Sequence, residues 1–136
     1  MKVVADTMIW VSYCTRKGGY RHRVIERTRR QRVRLFVSDY ILDELSQTLV
    51  EELELSPRFA ALARRAVLRV AKLVRLPSLK RRYVPGDPDD DPIVQTALIA
   101  KAGCLVTADK EILALKKVFD VEILSITGFE RRLQPK

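Results

Sequence analysis

The sequence predicts an α/β fold: a single-domain α/β/α sandwich with a central parallel sheet of four or five short strands. Four short apolar runs have the length and the β-branched composition of strands that are buried on both faces. They lie at residues 2–5, 34–37, 104–106 and 121–124. Segments with helical apolar spacing separate these runs, and this alternation is typical of a parallel sheet that helices cover on both sides.

The helices of this sandwich begin at recognisable capping signals. Ser56 and Pro57 combine a cap with a first-turn proline, so we expect a long helix from Pro57 that ends at Pro77. Residues 80–91 carry prolines, a glycine and many charges, and they predict an irregular loop. The remaining helix starts are predicted, in chain order, at Asp6, Ser38, Pro92 and Asp109.

Composition limits the classes of protein that the chain can belong to. The sequence has no repeat and no interdomain linker, so we expect one domain over residues 1–136. Lys and Arg number 26 against 17 Asp and Glu, and the net charge of +9 favours a polyanionic or acidic partner. Two cysteines and the lack of any apolar run near the ~18 residues of a membrane span predict a cytoplasmic protein. The single histidine excludes a multi-histidine metal site.

Acidic residues stand where the predicted strands end or the helices begin. Asp6 directly follows the first strand, Asp109 follows the third strand after two residues, and Asp91 precedes the helix at Pro92. The carboxyl ends of parallel strands meet at one edge of a sheet, where the ligands of open α/β folds bind. We therefore expect these carboxylates to be neighbours, and Glu44, at the margin of an apolar helix stripe, to reach the same edge.

Two interpretations of these acids compete. Each aspartate could simply cap a helix, a contribution of about 0.5–2 kcal/mol over alanine. At ~4 Å and an effective dielectric of ~20, however, two carboxylates repel by about 4 kcal/mol, which exceeds what a cap returns. A hard divalent cation such as Mg²⁺ or Mn²⁺ prefers oxygen ligands and relieves this repulsion. A cluster of carboxylates therefore favours a metal site.

The identity of one acid stays open. Asp91 is the expected ligand of the run at 87–92 because it abuts a helix start, whose dipole stabilises an anion. Asp90 takes its place if the register shifts by one residue. Asp43 similarly stands beside Glu44, although the apolar neighbours place Glu44 nearer the buried side.

Four segments follow one another in a characteristic order. They are Val-Val-Ala-Asp-Thr at 3–7, Ser-Asp-Tyr-Ile-Leu-Asp-Glu-Leu at 38–45, Asp-Pro-Ile-Val at 91–94, and Leu-Val-Thr-Ala-Asp-Lys-Glu-Ile-Leu at 105–113. In this order they resemble the PIN-domain family, and within it the toxin ribonucleases of prokaryotic toxin–antitoxin operons. The resemblance extends from residue 2 to about residue 129.

The resemblance implies a site, a cofactor and partners. It implies that Mg²⁺ or Mn²⁺ is bound by an acidic quartet, that RNA is the substrate, that a cognate antitoxin is a partner, and that the chain forms a homodimer. The quartet that would bind the metal and carry catalysis is Asp6, Glu44, Asp91 and Asp109, with Thr7 and Thr107 as supporting residues.

Basic residues form candidate contacts to RNA. Arginines crowd residues 21–34, and others recur along the helix that starts at Pro57. Charged helix faces are often merely solvated, yet a patch of one sign attracts phosphates regardless of sequence, and it could also dock an acidic antitoxin segment. The candidate RNA-binding residues are Arg21, Arg23, Arg27, Arg30, Arg65, Arg69 and Lys72.

The function that these observations favour is a metal-dependent ribonuclease that hydrolyses RNA phosphodiester bonds, as the toxin of a toxin–antitoxin pair. The alternative is a non-catalytic nucleic-acid or protein-binding α/β module whose acids are helix caps. A phosphoacceptor receiver domain would have paired acids near the first strand, where Asp6 stands alone.

Overall fold

A computed structural model describes residues 1–77, 91–133 and 135, and for Asp91 the backbone alone. The strands β1 to β6 are, in chain order, Lys2–Ala5, Arg34–Ser38, Ala71–Val74, Cys104–Val106, Lys117–Val118 and Val121–Leu124. The helices α1 to α7 are Thr7–Thr15, Tyr20–Thr28, Asp39–Gln47, Pro57–Val70, Asp91–Ile99, Lys110–Leu113 and Ile126–Arg132. A π-helical turn, Thr48–Glu52, continues α3.

The strands form one sheet in the order β3-β2-β1-β4-β6-β5. In the described part of the chain five of them run parallel, and the two-residue β5 pairs antiparallel with β6 at one edge. Helices flank this sheet, so the predicted α/β class is confirmed. The antiparallel edge strand β5 was not predicted, because two residues are too few to show an apolar pattern.

The sheet has its topological switch point between β1 and β4. From β1 the chain builds β2 and β3 on one side, and then β4 and β6 on the other. Ala5 pairs with Val106, so the residues that follow these two strands leave the sheet at the same level. Ligands of open α/β sheets bind at this point, outside the carboxyl ends of the strands.

One helix is shorter than the sequence predicts. α4 ends at Val70 instead of Pro77, because Ala71 is extended (φ −132°, ψ 143°) and begins β3. Strand β3 pairs with the edge of β2, where Leu35 is opposite Ala71. Apolar residues here fit helix and strand spacing equally, and backbone pairing with an open sheet edge decides between them. The prediction that Lys72 lies on a basic helix face is therefore wrong, since Lys72 belongs to β3.

The helix starts follow the predicted caps. Asp6, Ser38, Ser56 and Asp109 each accept a hydrogen bond from a backbone N–H in the first turn that follows. Trp10 on α1 and Phe129 on α7 are fully buried in the hydrophobic core. None of the helices in the described ranges is long and apolar enough to cross a membrane.

Candidate active site

A cleft of about 300 Å³ lies at the switch point of the sheet. Three predicted ligands, Asp6, Glu44 and Asp109, line this cleft although they are far apart in sequence. The first follows β1, the second lies on α3, and the third follows β4. The other lining residues are Thr7, Met8, Thr48, Glu52, Ile93 and Ala108.

Asp6 is the buried carboxylate of the cleft, with 5% of its surface exposed. Its Oδ1 accepts a hydrogen bond from the backbone N–H of Ile9 at 3.2 Å, and its Oδ2 accepts one from the hydroxyl of Thr107. Burial raises the pKa of Asp6 above its ordinary value, while these two hydrogen bonds, another from the backbone of Ala108 and the charge of Arg21 oppose the rise. A nearby cation would favour the ionised form of this carboxylate.

Glu44 is half-buried and turns toward the cleft from the middle of α3. Its Oε1 accepts a hydrogen bond from the hydroxyl of Thr7, which directly follows Asp6. Since a mid-helix glutamate has no capping role, the cap interpretation leaves the position of Glu44 unexplained.

Thr107 links two of the acids. Besides donating to Asp6, its buried hydroxyl accepts a hydrogen bond from the backbone N–H of Asp109 at 3.0 Å. The Oδ1 of Asp109 caps α6 by accepting from the backbone of Glu111 and Ile112 at 2.8 and 3.2 Å. No described residue donates a hydrogen bond to the other carboxylate oxygen of Asp109.

The third predicted acid can be placed by its backbone only. Asp91 is the first residue of α5, and its side chain lies outside the described residues, as does all of Asp90. Ile93, two residues further, lines the cleft. The start of α5 is therefore close to the cleft, and the choice between Asp90 and Asp91 as ligand stays a prediction.

The donor set fits a hard divalent cation. The titratable donors that line the cleft are all carboxylates, which Mg²⁺ and Mn²⁺ prefer, and one of them is desolvated. Within the described ranges, no group of three or more His, Cys, Asp or Glu side chains could by itself hold a metal ion. The described carboxylates thus share the cleft without forming a complete metal site.

Arg21 is a basic candidate whose positive charge lowers the pKa of Asp6. It lines a second cavity of about 760 Å³ that shares Met8, Thr48 and Glu52 with the cleft, and it donates to Ser12 Oγ at 3.0 Å.

The other basic candidates lie elsewhere on the molecule. Arg27 forms an ion pair with Glu130 at 3.2 Å, with 17% of its side chain exposed, and Arg23 donates to the backbone of Gly18 at 2.7 Å. The Arg27 ion pair joins α2 to α7, whereas the Arg23 bond is local, and the contact of either arginine with RNA stays a prediction. The exposed basic candidates are Arg23 on α2, Arg30 after α2, Arg65 and Arg69 on α4, and Lys72 on β3.

Sequence reasoning missed two residues of the cleft. Thr48 and Glu52 follow Glu44 by four and eight residues and line the same cleft from the π-helical turn. That spacing, one helical turn and then another, is the signal that could have identified them.

Comparison with known proteins identifies the family. Residues 2–111 match the PIN domain family. The fold is similar to a chain in the crystal structure of VapBC2 from Rickettsia felis bound to a DNA fragment from their promoter. The TM-score is 0.65 at 14% sequence identity, and the match covers 90% of this chain and 97% of that chain. No curated protein is significantly similar in sequence. PIN domains are generally nucleases and generally use divalent metal ions. Because the family match spans most of the sequence, this chain belongs to the PIN domain family.

Proposed function

We propose that this chain is a metal-dependent endoribonuclease that hydrolyses RNA phosphodiester bonds, with residues 1–136 as a single nuclease domain. The observation that carries the proposal is the convergence of Asp6, Glu44 and Asp109 on one cleft at the switch point of the sheet. Membership of a family whose members are generally nucleases supports it.

The acidic residues would hold the cofactor. Asp6, Glu44, Asp91 and Asp109 would bind Mg²⁺ or Mn²⁺, with Asp90 in place of Asp91 under the shifted register. When bound, the cation supplies stabilisation of the charge that develops on phosphate oxygens and activation of the attacking water.

The two threonines position the carboxylates. Thr107 donates to Asp6, and Thr7 donates to Glu44, so each hydroxyl restricts the rotation of an acid that faces the cleft. Their hydrogen bonds also favour the ionised form of the carboxylate, which is the form that binds a cation.

Basic residues would bind the RNA backbone. The net charge of +9 attracts phosphates from a distance, and Arg21 lines the cavity next to the carboxylates. Without a cation the acidic cleft would repel the same phosphates. Binding of metal and binding of substrate are therefore coupled in this proposal.

The proposed protein partners are an antitoxin and a second copy of the chain. We propose that the chain is the toxin of a toxin–antitoxin pair, with a cognate antitoxin as partner, that it forms a homodimer, and that it acts in the cytoplasm. The similarity to a chain of VapBC2 supports the antitoxin partner.

The test is an RNA digest with Mg²⁺, with Mn²⁺ and with EDTA, followed by sequencing of the products. We expect cleavage only when a metal ion is present, and we expect Glu44→Gln to cleave RNA more than about tenfold more slowly than wild type. Glu51→Gln is the matched control, because it removes the same charge from an exposed residue that Gln47 contacts outside the cleft. RNA that stays intact with both metals, or equal cleavage in EDTA, would contradict the proposal.

A non-catalytic binding module remains the competing candidate, because Asp6 and Asp109 do cap α1 and α6. In that case, RNA or a protein would bind without being cleaved, and Glu44→Gln would have no effect on binding. The same digest therefore separates the two candidates.

A further inference from the structure

The cavity beside the cleft has the size of a ligand site. Its volume of about 760 Å³ falls in the range of roughly 300–1,000 Å³ that is usual for small-molecule pockets. It lies along α1, the start of α2 and the π-helical turn, and it shares the lining residues Met8, Thr48 and Glu52 with the carboxylate cleft. A nucleotide next to the scissile phosphate would enter this cavity if RNA occupies the cleft.

Glu52 stands at the boundary between the two cavities. It is exposed and lines both of them, and no described residue forms a hydrogen bond or an ion pair with its side chain. The preceding Glu51 differs, because it accepts a hydrogen bond from Gln47 at 3.1 Å and lines neither cavity. The π-helical turn, closed by the bond from Leu53 N to Thr48 O at 3.1 Å, presents Glu52 in this position.

The rest of the cavity complements the other parts of a nucleotide. Met8 and Leu53, which are 48% and 46% exposed, offer apolar surface against which a base can pack. Arg16 and Arg21 line the same cavity and provide positive charge for phosphates. Apolar surface, cationic groups and one carboxylate acceptor therefore occur together.

The carboxylate distinguishes among the bases. An ionised glutamate accepts hydrogen bonds and donates none, and its two oxygens can accept from two parallel donors. Of the four RNA bases, guanine alone presents two adjacent donors, N1–H and N2–H, on its Watson–Crick edge. Adenine, cytosine and uracil each present one donor there, beside acceptors that a carboxylate repels. Proteins commonly read the Watson–Crick edges of unpaired bases in this manner.

We propose that Glu52 binds the Watson–Crick edge of a guanine in the cavity next to the cleft and so directs cleavage to phosphates beside guanine. This inference rests on the proposed function, because it assumes that RNA is the substrate. It goes further, since it names a specificity-determining residue and the base that this residue selects.

The test measures nucleotide binding separately from cleavage. Titration calorimetry with GMP, AMP, CMP and UMP at saturating Mn²⁺ gives four dissociation constants each for the wild-type protein, for Glu52→Gln and for Glu51→Gln, and these mononucleotides contain no phosphodiester bond that could be cleaved. We expect wild type to bind GMP between about fivefold and about a hundredfold more tightly than the others, as a bidentate base contact does. Glu52→Gln loses this preference, and the control Glu51→Gln keeps it. Sequenced digestion products then show cuts beside guanine for wild type and the control.

The outcomes are distinguishable. Equal binding of the four nucleotides by wild type, or a GMP preference that Glu52→Gln retains, would overturn the assignment of Glu52. A weaker affinity of Glu52→Gln for Mn²⁺, with unchanged nucleotide preference, would make Glu52 a cation ligand and would also overturn it. RNA that no metal allows the protein to cleave would instead contradict the proposed function.

Discussion

Removing the hydroxyl of Thr107 would test the core of the site, because this group joins Asp6 to Asp109. In Thr107→Val the carboxylate of Asp6 loses a donor and the N–H of Asp109 loses an acceptor, in a residue with 0% exposure. A hydrogen bond to a charged group contributes about 1.5–3 kcal/mol, and one between neutral groups about 1 kcal/mol. We therefore expect the free energy of unfolding to fall by about 2.5–4 kcal/mol.

Urea denaturation at neutral pH measures this change, with Thr107→Ser as the matched control that keeps the hydroxyl. RNA cleavage by Thr107→Val is expected to fall as well, since Asp6 loses a contact that favours its ionised form. A loss of stability below about 1 kcal/mol in Thr107→Val, or an equal loss in Thr107→Ser, would refute the reasoning that two buried hydrogen bonds depend on this hydroxyl.

Two further predictions concern buried titratable groups. In metal-free buffer, burial raises the pKa of Asp6 in the folded protein above its ordinary value of 3.8. The folded protein therefore binds the proton of this carboxyl group more tightly than the unfolded chain does. The resulting stabilisation is fully present below pH 3.8 and is lost as pH rises through the folded-state pKa. The free energy of unfolding of wild type relative to Asp6→Asn therefore falls as pH rises from about 4. A pH-independent difference in urea denaturation would contradict the desolvation of Asp6. For the cysteines, burial raises the pKa of Cys14 from 9.0 to about 11 and raises that of Cys104. Both are expected to react with a disulfide reagent at least about tenfold more slowly in folded than in urea-unfolded protein, and equal rates would show that the thiols are accessible.

The predicted gathering of acids depended on topology more than on any motif. Asp6 and Asp109 could be placed at strand ends from the apolar runs alone, and parallel strands bring such ends to one edge. The sequence could not show which strands are neighbours, and therefore not that β1 and β4 flank the switch point. Pairing of Ala5 with Val106 is a long-range contact that no local pattern specifies.

The predicted end of one helix was wrong for a physical reason. Residues 71–74 were assigned to a helix because Leu73 and Val74 continue its apolar spacing, but pairing with β2 makes them a strand. Glu52 was not predicted to face the cleft, although it follows Glu44 by eight residues, a spacing of two helical turns. Arg27 pairs with Glu130, which lies 103 residues away in sequence, and its contact with RNA stays a prediction.

The capping and metal interpretations of the acids turn out to be compatible. Asp109 uses one carboxylate oxygen to cap α6, while no described residue donates a hydrogen bond to the other. A cap therefore fixes the orientation of an acid and leaves an oxygen for another ligand. Glu44, which caps nothing, is the residue on which the two interpretations differ.

Calorimetric titration of the metal-free protein with Mn²⁺ tests the central claim most directly. The account predicts stoichiometric binding by wild type and by the control Glu51→Gln, and binding that is at least about tenfold weaker in Glu44→Gln. Absence of stoichiometric binding to wild type, or identical affinity in wild type and Glu44→Gln, would contradict the claim that the converging carboxylates bind a divalent cation.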